Sequence, residues 1–353
     1  MALARDLTAL GWDAFFAAQA DDGAAAARVV AEQRGAYRVL GTGDEAWAAA
    51  GGRLRRDAGA LGLPAVGDWV VARSRPGAER ATIERVLQRR SAFTRRAAGQ
   101  DVPQVVAANV DVVLVVTSMN RDFNPRRLER YLTLAWNSGA APAVMLSKAD
   151  LCDEPDEVLA AVAAVAPGVP VHVVSARSGR GLDEVSAYVG AGRTAVLLGS
   201  SGVGKSTLVN ALSGSDVQAV QETLTDDRGR HTTTTRQMLF LPSGGMIIDT
   251  PGMREVGMVA DDEGLERAFG DVAEVAARCR FGDCRHEGEP GCAVAEALAG
   301  GELPAERWES YLKLQREIAF QATLSDAEEA RRAKSRVKRI HRDVRAMYKH
   351  RRR

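Results

Sequence analysis

Apolar residues between positions 111 and 212 fall into two alternating spacings. Short continuous runs, Asp111-Val112-Val113-Leu114-Val115-Val116, Ala143-Val144-Met145-Leu146, Val171-His172-Val173-Val174 and Thr194-Ala195-Val196-Leu197-Leu198, predict strands buried on both faces. Between them, 126–137, 157–165 and 182–189 carry helical patterns. Alternation of this kind requires a mostly parallel sheet with helices on both faces. Upstream, from about Arg34 to Gly99, the period changes to short strands at 36–40, 69–72 and 81–86 broken by Gly and Pro turns, which suggests a small closed barrel of OB type. After Gly257 helical patterns dominate. The expected division is a helical extension over 1–33, a barrel over 34–100, an α/β domain over 101–258 and a helical domain over 259–353.

Short motifs sit at the ends of these runs, in an unusual order. Gly199-Ser200-Ser201-Gly202-Val203-Gly204-Lys205-Ser206 fits G-x-x-x-x-G-K-[ST], with a strand leading in and a helical pattern from Thr207 leading out. Glycines let backbone N–H groups wrap a polyphosphate, and the helix N-terminus adds a positive dipole. Lys205 would reach the β- and γ-phosphates, with the Ser206 hydroxyl on Mg²⁺. Asp249-Thr250-Pro251-Gly252 follows Met246-Ile247-Ile248, so Asp249 ends a buried strand where a second Mg²⁺-side carboxylate belongs, and Gly252 would offer its N–H to the γ-phosphate. Thr233 or Thr234, in Gly229-Arg230-His231-Thr232-Thr233-Thr234-Thr235, is the further Mg²⁺ candidate.

Base recognition is assigned to a segment that precedes the phosphate loop. Ser147-Lys148-Ala149-Asp150 follows the strand at 143–146, and a carboxylate at Asp150 can accept from both N1–H and the exocyclic amine of guanine, a donor pair adenine lacks. Alone this tetrapeptide reads equally well as a solvated helix start. Ser175 and Ala176 after the next strand supply the small residues that pack against a guanine ring. Most GTP-binding proteins meet the phosphate loop first and the Lys-x-Asp element last. Here the order is inverted, so the chain reads as a circularly permuted GTPase domain, in which Ser147 replaces the usual Asn.

A second cluster is independent of the first. Cys279, Cys284, His286 and Cys292 form C-x4-C-x-H-x5-C, collecting three of the four cysteines within fourteen residues. Thiolate and imidazole suit tetrahedral Zn²⁺, and four ligands with no open position imply a structural site. Three cysteines cannot pair evenly as disulfides, and residues 1–20 resemble neither a signal nor a transit peptide, so a cytoplasmic location is expected.

Composition adds one asymmetry. The chain's 353 residues, 46% hydrophobic and 26% charged, can bury two or three domains, and no apolar run approaches the ~18 residues of a membrane span. The net charge of +1 conceals a tail, 331–353, with twelve Lys or Arg against Asp343 alone, while the rest of the chain has 35 basic and 45 acidic residues. Such a tail binds nucleic acid or extends a solvated helix. Eleven arginines from Arg53 to Arg96 make the barrel region basic too, as an oligonucleotide surface or as an arginine-flecked barrel with no ligand.

Taken together, Gly11-Trp12, Leu63-Pro64-Ala65-Val66-Gly67-Asp68-Trp69, the phosphate loop, Gly229-Arg230-His231-Thr232-Thr233-Thr234, Asp249-Thr250-Pro251-Gly252-Met253-Arg254 and the Cys-His loop ending Glu289-Pro290-Gly291-Cys292 closely resemble the RsgA family of permuted GTPases. The resemblance covers nearly the full length. It implies an OB barrel, a permuted GTPase domain and a C-terminal zinc domain, with GTP and GDP as ligands. It further implies the small ribosomal subunit and its 16S-type rRNA as partner, late subunit maturation as the task, and no membrane. A monomer is expected. The residue after Asp-x-x-Gly, a water-orienting Gln in Ras-like GTPases, is Met253, so isolated turnover should be slow. His231 is the candidate to orient water, with RNA contact or loop packing as the alternative role. The rival function is an RNA-binding assembly chaperone whose nucleotide only stabilises the fold.

Overall fold

The computed structural model describes residues 6–21, 25–59, 61–74, 79–96, 103–120, 123–214, 236–249 and 261–323. Five strands make the barrel: β1 (Ala26–Gln33), β2 (Ala36–Leu40), β3 (Ala46–Ala50), β4 (Trp69–Arg73) and β5 (Ala81–Val86). They pair in the order β1-β2-β3-β5-β4, and β4 returns to β1 through Ala26 opposite Val71, so the sheet closes on itself. Only the β3–β5 pairing is parallel, with the short helix Gly52–Asp57 in the connection between β3 and β4. Val29, Val39, Ala48, Val70 and Ile83 fill the interior. This is the OB arrangement expected from the short strand patterns.

The expected helical extension over 1–33 needs correction. Only a 3₁₀ turn at Leu7–Leu10 and a helix at Ala14–Ala17 are helical within the described part of it, and residues 26–33 are the first barrel strand. The alanines at 25–27 favour a helix by propensity alone, but β1 pairs with β2, β4 and the strand Arg236–Phe240, and those pairings override it.

The nucleotide-binding domain is the parallel sheet that the alternation predicts. β8 (Val112–Ser118), β9 (Ala141–Ser147), β10 (Val171–Val173), β11 (Thr194–Leu198) and β13 (Met246–Asp249) lie in the order β10-β9-β8-β11-β13, all parallel. The antiparallel β12 (Arg236–Phe240) borders β13 and then pairs with β1, so the sheet runs on into the barrel. Arg236 Nη1 donates to Glu32 Oε2 at 2.8 Å across that seam. The hairpin of β6 (Ala92–Arg96) and β7 (Pro103–Ala108) spans the boundary expected at 100–101.

The junction beneath the barrel explains two of the sequence signatures. Arg28 is buried and donates to the carbonyls of Leu10, Gly67 and Asn109, binding the N-terminal turn, the barrel and β7 together. Burial pulls its pKa down to about 10. Asp68 receives a two-pronged bond from Arg89, both contacts at 2.7 Å, and accepts from Ala65 N. Gly67 is required: a Cβ there would lie 2.0 Å from Ala108 O, at φ +94°. Trp12 meets the buried Trp69 edge-on at 4.7 Å. Leu63–Trp69 and Gly11-Trp12 thus hold one domain on the other.

Helices α3 (Pro125–Asn137), α4 (Pro155–Val165), α5 (Leu182–Tyr188) and α6 (Lys205–Ser213) flank the sheet. Asp262–Ala268, Gly270–Ala276, Ala293–Gly300 and a helix over 305–323 form the C-terminal part. It is locked to α3 by Arg307, which donates to Glu129 Oε1 at 2.8 Å, to both Asp271 oxygens and to Ala268 O, and lies 4.1 Å from the Phe269 ring centre. Burial opposes the Arg307 charge, but the bonds to Asp271 and Glu129 outweigh it and raise its pKa. Arg307→Ala would strand the buried Glu129 carboxylate. We expect a loss of about 3–5 kcal/mol, read as a lower urea midpoint for the C-terminal unfolding step.

Candidate functional site

Every expected nucleotide-contacting residue in the described region lies at the carboxyl end of the parallel strands, where open α/β sheets bind ligands. β11 ends at Leu198 and turns through Gly199 into the phosphate loop; a Cβ on Gly199 would lie 2.3 Å from Val116 O of β8, so only glycine permits that approach. Gly204, at φ +98°, caps α6, which starts at Lys205. Lys205 Nζ donates to Gly199 O and Ser200 O, both at 2.7 Å, and so stands over the loop. Ser206 and Thr207 are exposed in the first turn of α6, with their backbone at its positive end. Asp249 ends β13, paired with β11 through Ile248 opposite Val196.

The segment expected to read the base converges on the same edge. Ser147 ends β9, buried, and its hydroxyl donates to Val203 O at 2.5 Å. This hydroxyl ties the Lys-x-Asp segment to the phosphate loop directly. Lys148 follows at φ +56°, turning the chain so that a 3₁₀ turn at Ala149–Leu151 carries Asp150 outward. Ser175, after β10, donates to Asp150 Oδ1 at 2.6 Å. That bond is the main reason the Asp150 carboxyl sits below the usual carboxylate range, which keeps it an anion and an acceptor. Its exposed oxygens can take two donors from one edge of a purine. Gly252, His231, Thr233, Thr234 and Met253, together with the tail at 331–353, lie outside the described residues.

Sequence reasoning missed one charged group at this edge. Arg127, in the first turn of α3, donates from Nη1 to Ser200 Oγ at 2.9 Å. Nothing in its local pattern distinguishes it from Arg126 or Arg130, which point to the C-terminal helix over 305–323 instead. Only the packing of α3 against the phosphate loop identifies it.

The second cluster is assembled as the spacing predicts. One donor atom from each of Cys279, Cys284, His286 and Cys292 falls within a span of 4.8 Å. His286 Nδ1 is 3.5 Å from Cys279 Sγ and 3.6 Å from Cys292 Sγ. A tetrahedral ion at ~2.3 Å from sulfur and ~2.0 Å from nitrogen separates such a pair by about 3.5 Å. The donor set therefore fits a closed, four-ligand metal site. Backbone geometry supports it: His286 adopts φ +62°, Cys292 caps the helix Ala293–Gly300, and its sulfur accepts from Ala295 N at 3.4 Å. Trp308 packs edge-on against the His286 ring at 5.5 Å, which fixes the imidazole from outside.

Comparison with known proteins agrees with this geometry. A family model described as RsgA GTPase matches residues 86–259, and one described as ABC transporter matches 182–347; both spans contain the phosphate loop. The chain is 45% identical over 303 residues to the small ribosomal subunit biogenesis GTPase RsgA 2 of Lactiplantibacillus plantarum, covering 85% of each. It is 45% identical over 358 aligned positions to the small ribosomal subunit biogenesis GTPase RsgA of Opitutus terrae, covering 96% of this chain and 97% of the other. Among solved structures, YjeQ from Thermotoga maritima superposes with a TM-score of 0.63 at 28% identity, over 83% of this chain and 98% of that one. YloQ, described as a circularly permuted GTPase, gives 0.59 at 23% identity over 84% and 96%, a likeness of fold.

Proposed function

The chain belongs to the RsgA GTPase family and is a GTP hydrolase, and from that premise we propose that it acts on the small ribosomal subunit during late maturation. The relatives' name, small ribosomal subunit biogenesis GTPase, supports the partner. The observation that carries the site is the meeting of Asp150, Ser147 and the phosphate loop on one sheet edge. In this reading the loop's N–H groups and Lys205 hold the β- and γ-phosphates, and Asp150 accepts from the guanine edge between Lys148, Ser175 and Ala176. Ser206, Asp249 and Thr233 or Thr234 would hold Mg²⁺, which neutralises charge on the phosphates when bound.

Catalysis rests on positioning. Met253 has no group to orient water, so the free protein turns over slowly, and His231 supplies the orienting imidazole once the switch segments close. GTP would order those segments into the form that holds 16S-type rRNA, and hydrolysis to GDP would release it. Barrel and basic tail supply cationic contacts to phosphate. A zinc ion at Cys279, Cys284, His286 and Cys292 is the reading best suited to three thiolates and one imidazole. A monomeric protein of the cytoplasm fits this role, and no described helix is long and apolar enough to cross a membrane.

Turnover in the presence of subunits tests the proposal. Purified small subunits should raise phosphate release from GTP by roughly 10²-fold or more, the scale on which a placed acid–base group acts, with large subunits doing much less. An unchanged rate would favour the chaperone whose nucleotide only stabilises its fold. Equal stimulation by large subunits would move the partner assignment.

A further inference from the structure

Helix α3 does two things at once. Along its length it is fastened to the C-terminal helix over 305–323: Arg126 donates to Glu306 O, Glu129 binds Arg307 and Ser310, and Arg130 pairs with Glu317 at 2.9 Å. At its first turn Arg127 reaches the other way, to Ser200. Its direction is set locally: Asn124 caps the helix by accepting from Arg127 N, and Pro125 opens it.

Ser200 is where two cations meet. Lys205 Nζ takes its backbone carbonyl at 2.7 Å while Arg127 Nη1 takes its hydroxyl at 2.9 Å. The phosphate loop works by aiming several backbone N–H groups at one point, so a small rotation at its second residue misaligns the donors that follow. A bond from a half-buried guanidinium is strong enough to fix that residue.

We propose that Arg127 is a positioning residue for nucleotide binding: it sets the phosphate loop through the Ser200 hydroxyl. It acts through Ser200 rather than on the reacting phosphate. The inference rests on the GTP-hydrolase reading of this site. Because the same helix carries the Glu129 and Arg130 contacts, the loop is also referenced to the C-terminal domain.

Affinity for GDP and the steady-state constants for GTP, measured on the full-length zinc-loaded protein, test this. Arg127→Ala should weaken GDP and raise KM for GTP together by about tenfold, the loss expected for one charge-assisted hydrogen bond, with kcat changed less. Ser200→Ala should give a similar loss, and the double variant should be no worse than the poorer single one. Arg127→Lys, which keeps the charge without the fork, should recover part of the affinity, and that recovery cannot come from a folding defect. Independent, fully additive effects of the two alanine variants would overturn the proposal. So would a fall in kcat at unchanged GDP affinity, which would make Arg127 a group that touches the reacting phosphate. Lys205→Ala is the control. If it abolishes binding while Arg127→Ala changes nothing, this inference alone fails, whereas undiminished binding in Lys205→Ala would remove the site itself.

Discussion

Asp150→Asn is expected to weaken GTP binding roughly 10²–10⁴-fold, as one hydrogen bond to guanine gives way to two facing donors and the other loses its ionic character, at about 1.5–3 kcal/mol each. The fold should be untouched, because Asp150 is exposed and, among the described residues, its side chain is held by the Ser175 hydroxyl. An amide oxygen can still accept from Ser175 and from the base N1–H. Its NH₂ group then faces the 2-position, where guanine presents a donor and xanthine an acceptor. Xanthosine triphosphate should therefore become the preferred nucleotide. Competition binding of GTP, ATP and xanthosine triphosphate to both proteins measures the exchange. Equal GTP affinity in the variant, or a preference of the unaltered protein for ATP, would remove the guanine assignment from Asp150.

Loss of the metal should be the largest change in stability. Structural zinc sites contribute apparent binding energies of about 10–16 kcal/mol, which becomes folding energy when the site does not exist in the unfolded chain. The loop from Cys279 to Cys292 contains no strand and, before Cys292 caps its helix, no helix, so apart from the bonds that the Glu289 carboxylate accepts from Arg285 N and Glu287 N and that Arg280 N makes to Gly291 O, its four candidate ligands are what would organise it. Cys284→Ser, or chelation, should open this region and the helix Ala293–Gly300, seen as faster amide exchange and proteolysis there. The phosphate loop should remain protected, since its own contacts come from β8, β9, β11 and α3. One zinc per purified chain is the matching expectation, measured by elemental analysis. Stoichiometric absence of zinc from folded, active protein would refute the ligand set.

The two predictions rest on features of different legibility. The Cys-His loop and the phosphate loop were readable because each is built from residues close in the chain: fourteen positions hold the four candidate metal donors, and eight hold the phosphate loop. Spacing alone then constrains geometry. The guanine segment was weaker as a word, since Ser147-Lys148-Ala149-Asp150 has an ordinary helix-start reading. Its order relative to the phosphate loop made it informative. The barrel was legible from three of its short strands and the turns between them, whereas β1 fell inside the expected helical extension and β3 was not singled out. The Gly11-Trp12 and Leu63–Trp69 signatures marked the family resemblance, but not their task, which is to hold the domain junction around Arg28 and Trp69.

By itself, then, the amino-acid sequence determined the fold class, the permuted order of the nucleotide elements and the donor set of the metal loop. Each is written in local periodicity or in short fixed spacings, where backbone geometry leaves few alternatives. Tertiary structure decided the contacts that join distant segments. Ser147 meets Val203 across 56 residues, Arg127 meets Ser200 across 73, Glu129 meets Arg307 across 178, and β1 meets β12 across about two hundred. Such pairings depend on which helix face and which strand edge the whole sheet presents, and no local pattern distinguishes Arg127 from its neighbours. Its role follows only from where α3 is packed.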